Sequence, residues 1–137
     1  MKLAIYAASR ASILKRGEMW RNIRAAGVNI TSSWIDEDGP RQSHMPTLWD
    51  SILRDIDNSD CLILYAQSIN DLPLKGALVE VGMALMADKP VFTILPSMPQ
   101  ERYFGSWVAH PLVTQCKSLS EALSIAGYPE VNCEIPA

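Results

Sequence analysis

The sequence predicts an α/β fold built on one open parallel sheet, in the three-layer Rossmann- or flavodoxin-like arrangement. Three observations carry that prediction. Short continuous apolar runs at residues 2–8, 61–65 and 91–95 have the composition of strands buried on both faces. Segments of helical apolar spacing alternate with them, the order that joins parallel strands through crossover helices. With 137 residues, 48% of them hydrophobic, the chain has the size of one domain and enough apolar surface for one core.

The elements follow in order. Residues 2–8 form the first strand, ending at Ser9 and Arg10. Ile13, Trp20 and Ile23 recur at roughly helical spacing over residues 12–26, and Gly27 suits the left-handed position that stops a helix. From Val28 to Trp34 the apolar residues alternate with polar ones, which predicts a second strand. Residues 36–46 are loop by composition, with a turn at Gly39. Leu48, Ile52 and Ile56 then mark a helical stripe, and Cys61 to Tyr65 is a buried strand. Gln67 to Leu74 reads as loop, Gly76 to Ala87 as helix, and Val91 to Leu95 as strand. The stretch 96–117 holds three prolines and shows little period, so no element is assigned. Ser118 and Glu121 match a capping box, opening a short helix that ends at Gly127. The domain therefore spans residues 1–127, and 128–137 is a tail expected at the surface or against a partner. Ligands of such sheets bind beyond the carboxyl ends of the strands. That end is formed by Ser9, by Trp34 to Asp36, by Gln67 to Gly76 and by Pro96 onward.

Composition narrows the function classes. A net charge of −3 argues against a nucleic-acid or anionic-membrane surface. The opening apolar run is too short for a signal-peptide core and no stretch approaches a membrane span, so a cytoplasmic protein is expected. Three widely spaced cysteines form neither a disulfide framework nor a metal pattern, and Cys61 reads as a buried free thiol. The two histidines, His44 and His110, lack ligand partners at metal spacing. Glycine-rich dinucleotide and triphosphate motifs are missing. No cofactor is expected.

One residue breaks the pattern. In the helix from Gly76, Glu80 is the only charge before Asp88. It shares a face with Gly76, Ala77, Met83, Ala84 and Ala87, all small or apolar. Burying an unpaired carboxylate costs several kcal/mol, so a buried one needs a partner or a use. The plain alternative is a solvated glutamate on one exposed edge of the helix. The small residues beside it favour a ring-sized ligand or a neighbouring helix approaching closely.

Residues 75–91 (KGALVEVGMALMADKPV) resemble the signature of the nucleoside 2-deoxyribosyltransferase family: a glycine four residues before a glutamate, an apolar-Gly-x-Ala step, then Lys-Pro-Val. Residues 5–10 (IYAASR) resemble that family's first strand and substrate loop. Residues 27–36 (GVNITSSWID) resemble its second strand, and residues 55–60 (DIDNSD) its helix-to-strand junction. The related 2′-deoxynucleoside 5′-monophosphate N-hydrolases share this framework. The resemblance covers most of residues 2–95 in the same order.

It implies that Glu80 attacks the anomeric carbon of a nucleoside or nucleotide, that the base leaves, and that water or a second base resolves the glycosyl ester. Tyr6 resembles the tyrosine that hydrogen-bonds the nucleophile. The chain departs from the family at two aspartates, where it has Leu74 and Ile52. Asp50, Asp55 and Asp71 are the nearby substitutes, and Asp55 shares a helix face with Ile52, which makes it the candidate acid for the leaving base. Ser9 and Arg10 resemble the phosphate contacts of the N-hydrolases, with Lys75 standing beside Leu74 where those enzymes have a second serine. Trp34, Asp71, Gly76 and Trp107 complete the candidate substrate contacts, Trp107 as part of a lid after the last strand. Family members commonly complete one another's sites, which implies a homo-oligomer, a dimer at least, with the apolar third helix and the C-terminal tail as contacts. Two other readings stay open: a catalytically inactive nucleotide sensor of the same fold, and a nicotinamide-dinucleotide glycohydrolase.

Overall fold

The computed structural model describes residues 1–37 and 45–131. It is an α/β fold with one open, all-parallel sheet. Strands β1 (Ile5–Ala8), β2 (Cys61–Tyr65), β3 (Val91–Ile94) and β4 (Val113–Gln115) lie in the order β1-β2-β3-β4. The helices are α1 (Leu14–Ala25), α2 (Met45–Asp57), α3 (Gly76–Met86), α4 (Gln100–Phe104) and α5 (Leu119–Ile125). Every residue of β1, β2 and β3 is buried. That explains their unbroken apolar composition: neither face meets water, so no alternation is selected.

The expected second strand is reduced to a single bridge, and the sequence reading is corrected here. Ile30 pairs in parallel with Ile5 on the edge of β1 away from β2, through two backbone bonds: Ile5 N–H to Asn29 O at 2.9 Å and Thr31 N–H to Ile5 O at 2.8 Å. This keeps the flavodoxin-like order, with the second segment outside the first. The ladder stops because a side chain takes over. Ser32 Oγ accepts the Ala7 N–H at 2.7 Å and donates to Ala7 O at 3.1 Å, doing the work of the next backbone pair. Residues Ser33–Asp36 then turn into a 3₁₀ helix.

The stretch 96–117, left unassigned from sequence, contains α4, a 3₁₀ turn at Ser106–Ala109, and β4. β4 is a short edge strand whose three residues are half-buried or exposed, so no apolar run announces it. The capping serine behaves as expected: Ser118 Oγ accepts the Glu121 N–H at 3.1 Å, although Glu121 returns its bond to Lys117 N rather than to Ser118. Residues 128–131 depart from the surface tail expected. Tyr128 is 2% exposed and donates to Leu3 O at 2.7 Å, and Val131 is also buried. The close approach of the chain's start requires Gly127, at φ +102: a Cβ there would stand 2.3 Å from Met1 O. His44, Gly39, Cys133 and the rest of the tail lie outside the described residues.

Lys89 fastens the end of α2 to the start of β3. Its ammonium donates to Ile56 O, Asp57 O and Ser59 O at 2.6–2.8 Å, a cation at a helix C-terminus. Cys61 is fully buried, and burial pushes its thiol up to about 12, which makes it inert. Among the described residues no helix is long and apolar enough to cross a membrane, and no cluster of three potential metal ligands occurs.

Candidate active site

At the carboxyl end of β1 a cleft of about 200 Å³ opens between the β1–α1 loop, α2 and the start of α3. Its walls are Ser9, Arg10, Ala11 and Ser12 from the loop, Ile52 from α2, Trp34 from the 3₁₀ turn, and Leu74 to Ala77 with Glu80 from the α3 entry. The crevice predicted from element order alone is therefore present, at the strand ends where parallel sheets bind ligands.

Glu80 lies at its inner end. It opens the second turn of α3 and is only 8% exposed. Tyr6 in the middle of β1 is fully buried and points to the face that α3 covers. Its hydroxyl donates to Glu80 Oε1 at 2.5 Å. The strand thus fixes the phenol, the phenol fixes the carboxylate, and the solvated-edge alternative for Glu80 is removed. The hydrogen bond from the phenol orients the carboxylate.

The surrounding walls are held rigid by their own bonds. Ser9 Oγ accepts from Trp20 Nε1 at 2.9 Å, and Trp34 Nε1 donates to Ala7 O at 2.8 Å, so both indole N–H groups serve the scaffold. Arg10 reaches across the mouth. Its Nη1 donates to Leu72 O at 2.7 Å and its Nε to Ser12 Oγ at 3.2 Å, joining the β1–α1 loop to the α3 entry. Lys75 precedes α3 at φ 54, ψ −117, a conformation that favours glycine and costs a lysine roughly 1–3 kcal/mol. Arg10 and Lys75 place cations at the mouth, and Glu80 is the only carboxylate among the described lining residues.

Three predicted site residues are not brought to the cleft. Asp55 faces elsewhere: its Oδ2 accepts Ser33 N–H at 2.8 Å and Ser33 Oγ–H at 2.7 Å. Asp71 is a structural ion. It is 2% exposed and bound bidentately by Arg16, at 2.9 Å through Nε and 3.1 Å through Nη2. The backbone N–H groups of Gln67 and Ser68 add bonds at 2.7 and 3.1 Å. Burial pulls its pKa up, but these donors outweigh it and hold the carboxyl below the usual aspartate range. Trp107 donates to Phe104 O at 2.6 Å and does not line the cleft.

Two features escaped the sequence reading. The first is Arg16, which is 2% exposed and 5.2 Å from the Tyr65 ring centre, although a basic side chain at a helix start is ordinarily solvated. Its only signal was that it lies between Ile13 and Trp20 on the buried face of α1. The second is Trp49, whose indole stands over Gly76, a residue of the cleft wall, without itself lining the cleft.

No model of a known protein family matches the chain, and no curated protein or solved structure matches it either.

Proposed function

We propose that the protein cleaves or exchanges the N-glycosidic bond of a (deoxy)nucleoside or nucleoside 5′-monophosphate through a covalent glycosyl intermediate on Glu80. The observation that carries this reading is one carboxylate, more than nine-tenths buried, held by the Tyr6 hydroxyl at the inner end of a cleft. A glutamate held in this way suits attack on a carbon that becomes cationic as its leaving group departs. The carboxylate oxygen bonds to the anomeric carbon, and the C–N electron pair leaves with the base, which takes a proton from solvent or a neighbouring donor. Water then adds to the anomeric carbon and gives one proton to solvent, which releases the sugar and returns the carboxylate. A second base in place of water gives exchange. The resemblance of residues 75–91 and 5–10 to the deoxyribosyltransferases and N-hydrolases supports the same chemistry.

Arg10, Ser9, Ser12 and Lys75 at the mouth suit a 5′-phosphate. The reaction needs no cofactor. A homo-oligomer in the cytoplasm belongs to the same reading. Its support is an apolar surface across α2 and α3, where Leu53, Val79 and Met86 are 57%, 55% and 88% exposed.

The sensor reading has one specific observation in its favour: no second carboxylate lines the cleft among the described residues, so no acid stands ready for the leaving base. One experiment separates the two. The protein is incubated with 2′-deoxynucleosides, their 5′-monophosphates and nicotinamide dinucleotide, and free base is followed by chromatography. Base release that disappears in Glu80→Gln is the expected result. Tight binding of a nucleotide without release of its base establishes the sensor and removes the enzyme.

A further inference from the structure

We propose that the site acts on nucleosides or nucleotides whose base carries a fixed positive charge, as in an N-glycosyl pyridinium or a ring-alkylated purine. The inference rests on the reading of Glu80 as nucleophile and names the substrate class of that same cleft. A neutral base leaves with the C–N electron pair and becomes an anion unless an acid gives it a proton. The described walls of the cleft are poor in such acids. Ile52 and Leu74 bring hydrocarbon, at 4% and 3% exposed. Trp34 brings an indole whose N–H is spent on Ala7 O at 2.8 Å. Ser9 and Ser12 bring hydroxyls, which donate a hydrogen bond but keep their proton near neutrality. The Arg10 guanidinium does not give up its proton, and Lys75 stands with it at the mouth, where a 5′-phosphate takes both charges. Glu80 is the only carboxylate among the described lining residues, and it is the nucleophile.

Charge decides between the two substrate classes. With a neutral base, attack moves the negative charge of Glu80 onto the base, against walls of Ile52 and Leu74 that cannot solvate it. With a cationic base the same attack ends differently. The carboxylate oxygen bonds to the anomeric carbon, the C–N pair passes to the ring nitrogen, and the positive charge there is cancelled. Ester and base both emerge neutral, and no proton moves. A cleft with apolar walls favours the step that extinguishes two opposite charges over the step that relocates one charge without a partner.

The test compares one ring with and without its charge. The full chain is incubated in mildly acidic buffer with guanosine and 7-methylguanosine 5′-monophosphates, in the ribo and 2′-deoxy series, and free base is followed by chromatography. Each kcat/KM is divided by the rate at which that substrate loses its base in the same buffer without enzyme. The methylated, cationic substrate should be accelerated at least as strongly as its parent. An acid serving the base would accelerate the parent about 10²–10⁴-fold more, and that result overturns the proposal. Ile52→Asp drives the comparison the other way. A carboxyl in the wall should raise the acceleration of the parent relative to the methylated substrate by about tenfold or more, with folding checked by thermal melting. A folded Ile52→Asp protein that keeps the wild-type ratio also overturns the proposal; if the variant does not fold, the wild-type comparison decides alone. Failure of the Glu80 reading looks different: neither substrate loses its base, or both lose it equally well in Glu80→Gln. Cleavage of the parent alone, lost in Glu80→Gln, keeps the nucleophile and removes the cationic substrate.

Discussion

Glu80 and Asp71 are both buried carboxylates, nine residues apart, and they have opposite fates. Asp71 receives four hydrogen bonds, two of them from the guanidinium of Arg16, and does not line the cleft. Its charge is neutralised where it is formed, and its effect is to tie the β2–α3 loop to α1. Glu80 is held by a neutral phenol and opens on the cleft. Burial alone therefore does not nominate a reacting group. The kind of donor does: an arginine consumes a carboxylate's charge, whereas a phenol aims it.

Substitution at the two positions should separate along that line. The largest effect is expected from Glu80→Gln, which keeps the shape and the Tyr6 contact but removes the nucleophile. Base release falls by about 10⁴-fold, in the range seen when a nucleophile is deleted, while the melting temperature stays near that of the wild type. Unfolding with unchanged turnover per folded molecule would exchange the roles of the two acids. Asp71→Asn should do the reverse. Leaving Arg16 buried without its counter-ion costs about 3–5 kcal/mol, read by urea denaturation, with chemistry in the folded fraction largely intact. The pH dependence carries a sign. The folded-state pKa of Asp71 is lowered, so its contribution is fully present above the ordinary aspartate value near 4 and is lost as pH falls below it. The stability gap between wild type and Asp71→Asn should accordingly narrow on acidification below about pH 4. A gap that widens there contradicts the ion pair.

A smaller effect sharpens the contrast between scaffold and cleft at the residue that joins them. Lys75 keeps a glycine-like conformation at the cleft rim. Lys75→Gly relieves that strain but gains chain entropy in the unfolded state, so stability should rise by a net of about 1 kcal/mol. Affinity for a nucleoside 5′-monophosphate should fall relative to the free nucleoside. A substitution that stabilises the fold and weakens the ligand marks a residue retained for binding. If both affinities are unchanged, Lys75 is only a turn.

The contrast also explains what was legible in the sequence. β1, β2 and β3 were legible because a strand covered on both faces must be apolar throughout, and α3 because its lone glutamate had no apolar reason to be there. The segment after Val28 misled because alternation says which side chains face the core, and is silent on whether Ser32 will take over the backbone's bonds. β4 carried no hydrophobic signal on a sheet edge. For the site, the carboxyl-end rule located Ser9, Trp34, Lys75 and Gly76, and the family resemblance added Arg10. Asp71 was misjudged because its partner lies 55 residues away on α1, and pairing at that range leaves no mark in local composition.

Asp55 provides the smallest expected change. Three residues beyond Ile52 on α2, it was the sequence's best substitute for an acid beside the leaving base. Its carboxylate instead takes both the N–H and the O–H of Ser33, at 2.8 and 2.7 Å, and so braces the turn that carries Trp34 into the cleft wall. A general acid contributes about 10²–10⁴-fold, and its loss is felt most with substrates whose base leaves poorly. A brace contributes neither. Asp55→Ala should therefore lose about 1 kcal/mol of stability. Base release should fall by less than about threefold, well short of an acid's share. The fall should be equal for good and poor leaving bases. A loss that grows steadily as the leaving base becomes more basic would return Asp55 to the chemistry, and would mean that α2 moves toward the cleft when substrate binds.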